Sequence, residues 1–229
     1  MAVDIPSDLA ATVAWLRQRL LACKDSPVDG VKGFDPSLEE FLDQAMTMTP
    51  AAVLIPLVMR ETGLTVLLTQ RTAHLRDHAG QISFPGGRCE DSDPSPRATA
   101  LREAQEEIGL APAQVEIIGE LPEYNTATGF TISPVIGLVS PPLNLSLDDF
   151  EVAEAFEVPF EFLMNPGNHQ RHAIEFRGAM REYYAMPWQG YFIWGATAGI
   201  LVNLQRHLYA RDGETGPASH GGMAQAVVS

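Results

Sequence analysis

Gly86–Leu110 reads GGRCEDSDPSPRATALREAQEEIGL, and its second half decides the fold. There Arg102-Glu103-Ala104-Gln105-Glu106-Glu107-Ile108-Gly109-Leu110 carries acids at helical spacing. Residues three and four apart share a helix face, so Glu103, Glu106 and Glu107 are expected on one side, within a single turn. Clusters of this kind are commonly just solvated helix faces. Here the flanks argue for chemistry. A Gly-Gly pair, read as a turn, precedes the helix. Ser95 suits the N-cap, Pro96 the first helical position and Gly109 the stop, while Arg102 stands beside the first glutamate. Hard divalent cations such as Mg²⁺ take oxygen ligands and relieve the repulsion among such carboxylates.

The segment resembles the Nudix box: a glycine, a spaced acid, then Arg-Glu-apolar-x-Glu-Glu-x-Gly-apolar. Its second half matches at every fixed position. In the first half, the acid six residues beyond Gly87 is Asp93 in place of Glu, and the gap from Asp93 to Arg102 is one residue longer than the general pattern. The extra residue falls in Pro94-Ser95-Pro96, a loop before the helix, which leaves the role of Asp93 open. Upstream, Leu67–Gly87 reads LLTQRTAHLRDHAGQISFPGG. It is similar to the coenzyme A diphosphatase branch of the Nudix hydrolases, whose pattern is LLTxRxxxLxxHxGQISFPGG. The acid-rich loop Glu90-Asp91-Ser92-Asp93 fits that branch, and Ile193–Leu201 (IWGATAGIL) is similar to its C-terminal helix. The resemblance covers residues 50–209 and is densest over Leu67–Leu110.

The resemblance implies an α/β fold, the Nudix α/β/α sandwich with a mixed sheet. It implies a small-molecule substrate: Mg²⁺- or Mn²⁺-dependent hydrolysis of the diphosphate of coenzyme A or its derivatives, giving 4′-phosphopantetheine and adenosine 3′,5′-bisphosphate. Glu103 and Glu107, one turn apart, are the leading metal ligands. Glu106 binds a second ion or serves as the base, and the Gly87 carbonyl is a further candidate ligand. Family members differ in which acid activates water, and Glu151 and Glu154 are candidates for a distant one. Arg102 is expected to pair with a glutamate and hold its rotamer. Arg71 and Arg76 suit bidentate contacts to phosphate. His78, Gln81 and Ser83 carry the branch signature, as substrate contacts or as loop supports. Tyr191 and Trp194 either border a pantetheine groove or pack in the core. Two other readings compete: a Nudix diphosphatase for ADP-ribose, a dinucleotide or a nucleoside triphosphate, and a non-catalytic Nudix-fold binding module. Retention of Glu103, Glu106 and Glu107 argues against the module.

Composition sets the outer bounds. A chain of 229 residues suits one domain with embellishments, and 45% hydrophobic residues suffice for a core. A net charge of −14 disfavours nucleic-acid and anionic-membrane partners. A bound cation reconciles that charge with an anionic substrate. Cys23 and Cys89 form no zinc spacing and no disulfide framework, and the N-terminus has no signal-peptide pattern, so a cytoplasmic protein with reduced thiols is expected. No apolar run reaches membrane-spanning length. The fold is compatible with a homodimer, to which no individual residue points.

Hydrophobic periodicity predicts an N-terminal helical extension over 1–49, with helices at Ser7–Leu21 (capped by Ser7) and Leu38–Met46 around a Pro/Gly-rich connection. The Nudix domain is expected over 50–210. Strands are predicted at Ala51–Val58, Leu64–Thr69, Val115–Leu121, Thr131–Val139 and Val152–Val158, with a hairpin across Gly178. A closing helix is expected over Tyr191–Tyr209 and a disordered tail over 211–229.

Overall fold

The computed structural model describes residues 5–6, 8–21, 48–74, 80–176 and 179–209. The expectations for Ser7, Cys23, 25–35, 38–46, Arg76, His78, Gly178 and 211–229 lie outside the described residues. The chain opens with helix α1 (Leu9–Leu21), followed by strands β1 (Thr49–Arg60), β2 (Gly63–Arg71), β3 (Ile82–Ser83) and β4 (Gly86–Arg88). Helix α2 (Pro96–Ile108) leads to β5 (Val115–Glu120), β6 (Tyr124–Asn125), β7 (Phe130–Val139) and β8 (Val152–Pro159). Then come α3 (Phe160–Met164), β9 (Gln170–Phe176), β10 (Ala179–Trp188), β11 (Tyr191–Trp194) and α4 (Gly195–Tyr209).

An eight-stranded mixed sheet runs β3-β2-β1-β7-β5, with β4 on β1, β6 on β7 and β8 on β2. β1 is parallel to β7 along Thr49–Val58 and antiparallel to its other partners. The second edge of β1 is shared. Leu57–Arg60 pairs with β2 and Ala51–Val53 with β4, so β2 departs and β4 takes its place. Side chains alternate across a strand. Ala52, Leu54 and Val58 accordingly pack with Ala100, Ala104 and Ile108 of α2. Ile55 and Leu57 join the opposite core with Leu16 and Leu20 of α1, Leu163 of α3 and Leu201 and Leu204 of α4. Helices therefore cover both faces, which is the expected α/β/α sandwich. A smaller antiparallel sheet, β11-β10-β9, adjoins it.

Two local expectations need correction. The Gly86-Gly87 pair is a strand on the edge of β1, not a turn. Glycine is required there by close approach: a Cβ on Gly86 would collide with the Ala52 carbonyl and one on Gly87 with the Glu103 carboxylate. Tyr191–Trp194 is also strand, paired with Ala185–Trp188, and the closing helix begins only at Gly195. Aromatic and β-branched residues favour the pleated, half-buried surface. Gly195, at φ 64°, makes the break.

Candidate active site

Helix α2 begins and ends on local signals. The Ser95 hydroxyl accepts from the Ala98 N–H, Pro96 enters the first turn, and Gly109 at φ 69° sends its N–H back to the last carbonyls. The helix lies across β4 and presents its acids in two directions. Glu107 turns inward and is almost fully buried; its Oε2 accepts the Gly86 N–H at 3.2 Å. Its Oε1 lies 3.8 Å from Arg71 Nη1. Glu103 also turns inward, its carboxylate set against Gly87 where a side chain would stand. Glu106 leans outward to accept from Arg102 Nη1 at 2.8 Å, with its side chain 58% exposed. Three acids on one helix face thus resolve into two that converge and one that Arg102 draws aside. Among the described residues no three His, Cys, Asp or Glu side chains close into a metal-holding group.

Arg102 is the hub of this arrangement. Its Nε donates to Asp93 Oδ1 at 3.1 Å and its Nη2 to Asp93 Oδ2 at 3.0 Å. Nη2 also donates to the Arg88 carbonyl at 3.2 Å, and Nη1 lies 3.0 Å from Glu103. Asp93 further accepts from the Thr99 hydroxyl and the Glu90 N–H. The Arg102 guanidinium holds the Asp93 carboxyl well below the usual carboxylate range. The fork ties the pre-helix loop, β4 and α2 together, so the one-residue insertion does not displace Asp93 from the helix.

The inward acids have the opposite electrostatics. Burial raises the Glu107 carboxyl to about 8, against the Gly86 N–H and Arg71, with Glu103 and Glu151 adding to the rise. Burial raises Glu103 as well, opposed by Arg102. Two desolvated carboxylates beside a glycine backbone form an all-oxygen donor set whose charge is underpaid by the protein. That set fits a hard divalent cation held by Glu103 and Glu107.

On the far face of β4, toward α4, lies a cavity of about 880 Å³. Arg71, Gln81, Ser83, Gly86 and Gly87 line it, and of these Arg71 and Gly86 adjoin Glu107.

A model of the NUDIX domain matches residues 48–176. The chain belongs to the Nudix family. A protein named uncharacterized Nudix hydrolase NudL from Escherichia coli K12 is 41% identical over 180 residues, covering 73% of this chain and 93% of that protein. A protein of the same name from Citrobacter koseri is 41% identical over 187 residues, covering 76% and 96%. Among solved structures, a MutT/nudix family protein from Enterococcus faecalis aligns at 18% identity with a TM-score of 0.44, over 73% of this chain and 67% of that one. The Nudix chain is a Nudix-type diphosphatase, a hydrolase acting on a small-molecule substrate. Nudix hydrolases generally need divalent cations. No helix among the described residues is long and apolar enough to cross a membrane.

The structure brings together the Nudix-box acids Glu103 and Glu107, Gly87, Arg71, Gln81 and Ser83. Ser83 is held by Thr69, hydroxyl to hydroxyl at 3.2 Å, and the Gln81 carbonyl accepts the Arg71 N–H at 2.9 Å. Arg71 Nε is buried with no hydrogen-bond partner. Glu151 stands 3.9 Å from Arg71, whereas Glu154 is occupied by the Tyr191 hydroxyl at 2.7 Å. Tyr191 stacks on Phe156 with centroids 3.7 Å apart, and Trp194 lines the cavity. Cys89 is a free, half-buried thiol. Sequence reasoning missed Arg88, Tyr124, Thr126, Thr128 and Phe130 in the cavity wall. The only local signal was the Thr126–Gly129 turn composition, which says nothing about a cavity.

Proposed function

We propose that this Nudix enzyme hydrolyses the diphosphate of coenzyme A or a coenzyme A derivative, using Mg²⁺ or Mn²⁺. The products are 4′-phosphopantetheine, or its acylated form, and adenosine 3′,5′-bisphosphate. One observation carries the reading. The branch-like stretch Leu67–Gly87 supplies Arg71, Gln81 and Ser83 to one cavity that ends at Gly86–Gly87, beside the converging glutamates. The hydrolase domain is assigned to 50–210, preceded by an N-terminal extension.

In this reading Glu103, Glu107 and the Gly87 carbonyl hold the cation, which supplies positive charge to the diphosphate oxygens and acidifies bound water. The protein's own groups do the positioning. Arg102, braced by Asp93, holds Glu103 and Glu106 in place. Arg71, with a buried donor left over and one edge toward Glu107, suits a bidentate grip on a substrate phosphate. Water adds to one phosphorus, the bridging P–O bond breaks, and both products leave as phosphomonoesters. Glu106 and Glu151 remain the candidate bases.

Product analysis tests the proposal. Purified protein with Mg²⁺ or Mn²⁺ is given coenzyme A, ADP-ribose, NADH and a nucleoside triphosphate, with Glu103→Gln and Glu107→Gln as blanks. Selective release of 4′-phosphopantetheine and adenosine 3′,5′-bisphosphate is expected from the wild type alone. Preference for another substrate would retain the metal site and reject coenzyme A. No metal-dependent turnover would favour a binding module.

A further inference from the structure

The cavity has two arginines and no carboxylate in its described lining, in a chain with 29 acidic residues against 15 Lys and Arg. Arg71 sits at the catalytic end, 3.8 Å from Glu107. Arg88 sits elsewhere. Gly87 faces Glu103, and successive residues of a strand face opposite ways, so Arg88 projects from the other side of β4. Its pairing with Ala51 puts it on the cavity face. Its guanidinium lies over the Phe130 ring, 5.5 Å from the centroid. That contact orients the group without neutralising it.

Arg88 also differs from its neighbours in what it lacks. Arg17, Arg60, Arg97, Arg102 and Arg171 each rest on a carboxylate. No acidic side chain among the described residues pairs with Arg88. A planar five-donor fork, turned into a cavity whose described lining holds no carboxylate, suits an anion. Phe130 is itself held in place: its N–H donates to the Thr126 hydroxyl at 3.0 Å, and that hydroxyl lies 3.0 Å from the Thr128 hydroxyl, so the platform under Arg88 is a closed turn.

We infer that Arg88, seated on Phe130, is a specificity-determining residue that binds a second anionic group of the substrate, a phosphomonoester separate from the diphosphate undergoing hydrolysis. The inference rests on the coenzyme A reading for the identity of that group, the 3′-phosphate of the adenosine moiety. Substrates with a diphosphate but no further phosphate leave this subsite empty.

Binding rather than turnover gives the cleaner test. Adenosine 3′,5′-bisphosphate and adenosine 5′-monophosphate are titrated by calorimetry into the wild type, Arg88→Ala and Arg88→Lys. The wild type is expected to prefer the bisphosphate by on the order of tenfold or more, the worth of one charge-assisted contact. Arg88→Ala should bring that ratio close to one, and Arg88→Lys should recover part of it. Thermal melting confirms that each variant is folded. Equal affinity of the wild type for both probes overturns the inference. So does a loss of the same factor for both probes in Arg88→Ala, which would place Arg88 on the 5′-phosphate. The same ratio is then read as kcat/KM for coenzyme A against 3′-dephospho-coenzyme A. If neither is hydrolysed while the probe ratio still depends on Arg88, the coenzyme A reading fails and the phosphomonoester subsite stands.

Discussion

Glu107 is a carboxyl group deprived of water, with the Glu103 carboxyl close enough to add to the effect. Its folded value of about 8 stands above the ordinary 4.5. Below about pH 4.5 both native and unfolded chains hold the proton. Between the two values the native state binds a proton that the unfolded state has released, so stability falls as pH rises and the penalty is complete above about 8. Glu103, raised for the same reason, adds in the same direction. Asp93, lowered by Arg102, acts in the acid range outside this window. In chelator, the melting temperature of the wild type is therefore expected to drop more between pH 5 and pH 8.5 than that of Glu107→Gln. Coincident slopes would mean the burial argument is wrong. Mg²⁺ should narrow the difference by compensating the charge. The same variant should lose activity by at least on the order of a hundredfold, since even outer partners of metal ligands cost up to that much.

At the scale of the element, two glycines that meet α2, Gly109 at its end and Gly87 on β4 beside it, have different duties. Gly109 is needed for its backbone: φ is 69°, and an added Cβ would press within 3.1 Å of Ser146. Gly109→Ala is expected to cost about 1–2 kcal/mol or somewhat more in urea denaturation, the left-handed penalty for an L-residue. Gly87 is needed for its missing side chain. There the Cβ would meet only the end of a glutamate, which can swing aside. Gly87→Ala should leave the denaturation midpoint nearly unchanged while weakening Mn²⁺ binding by on the order of tenfold or more. Electron paramagnetic resonance reads the free Mn²⁺ directly. If Gly87→Ala instead lowers the denaturation midpoint and keeps its affinity for Mn²⁺, the glycine serves the strand and not the carboxylate.

Across the whole molecule, the helix of the N-terminal extension packs into the core. Leu16 is wholly buried and Leu20 nearly so, in the cluster that holds Ile55, Leu57 and Leu201. Gly119 of β5 lies so close to Leu20 that a Cβ there would sit 3.0 Å from it. The Arg17 guanidinium closes the edge on Glu116 at 2.7 Å. Leu16→Ala should cost about 2–5 kcal/mol, measured by urea denaturation. A loss well under 1 kcal/mol would show that α1 is a detachable appendage.

What could be read without coordinates was local or written as a motif. The ends of α2 were legible because a cap is made by a residue and its immediate neighbours: Ser95 with Ala98, and Gly109 with the carbonyls behind it. The strands predicted at Ala51–Val58 and Leu64–Thr69 were legible for the same reason: they pair directly with each other across a tight turn. The Gly-Gly pair was misread because glycine serves turns and close approaches alike, and only the edge of β1 decides between them. Tyr191–Trp194 was absorbed into a helix because one apolar run continues across Gly195. The sequence by itself determined the Nudix family, the helix that carries the acids and the residues that begin and end it. Tertiary structure alone decided that Glu103 and Glu107 turn inward while Arg102 draws Glu106 away, and that Arg88 reaches over Phe130 into the cavity. Burial and charge pairing depend on segments far apart in the chain, and no spacing along one helix contains them.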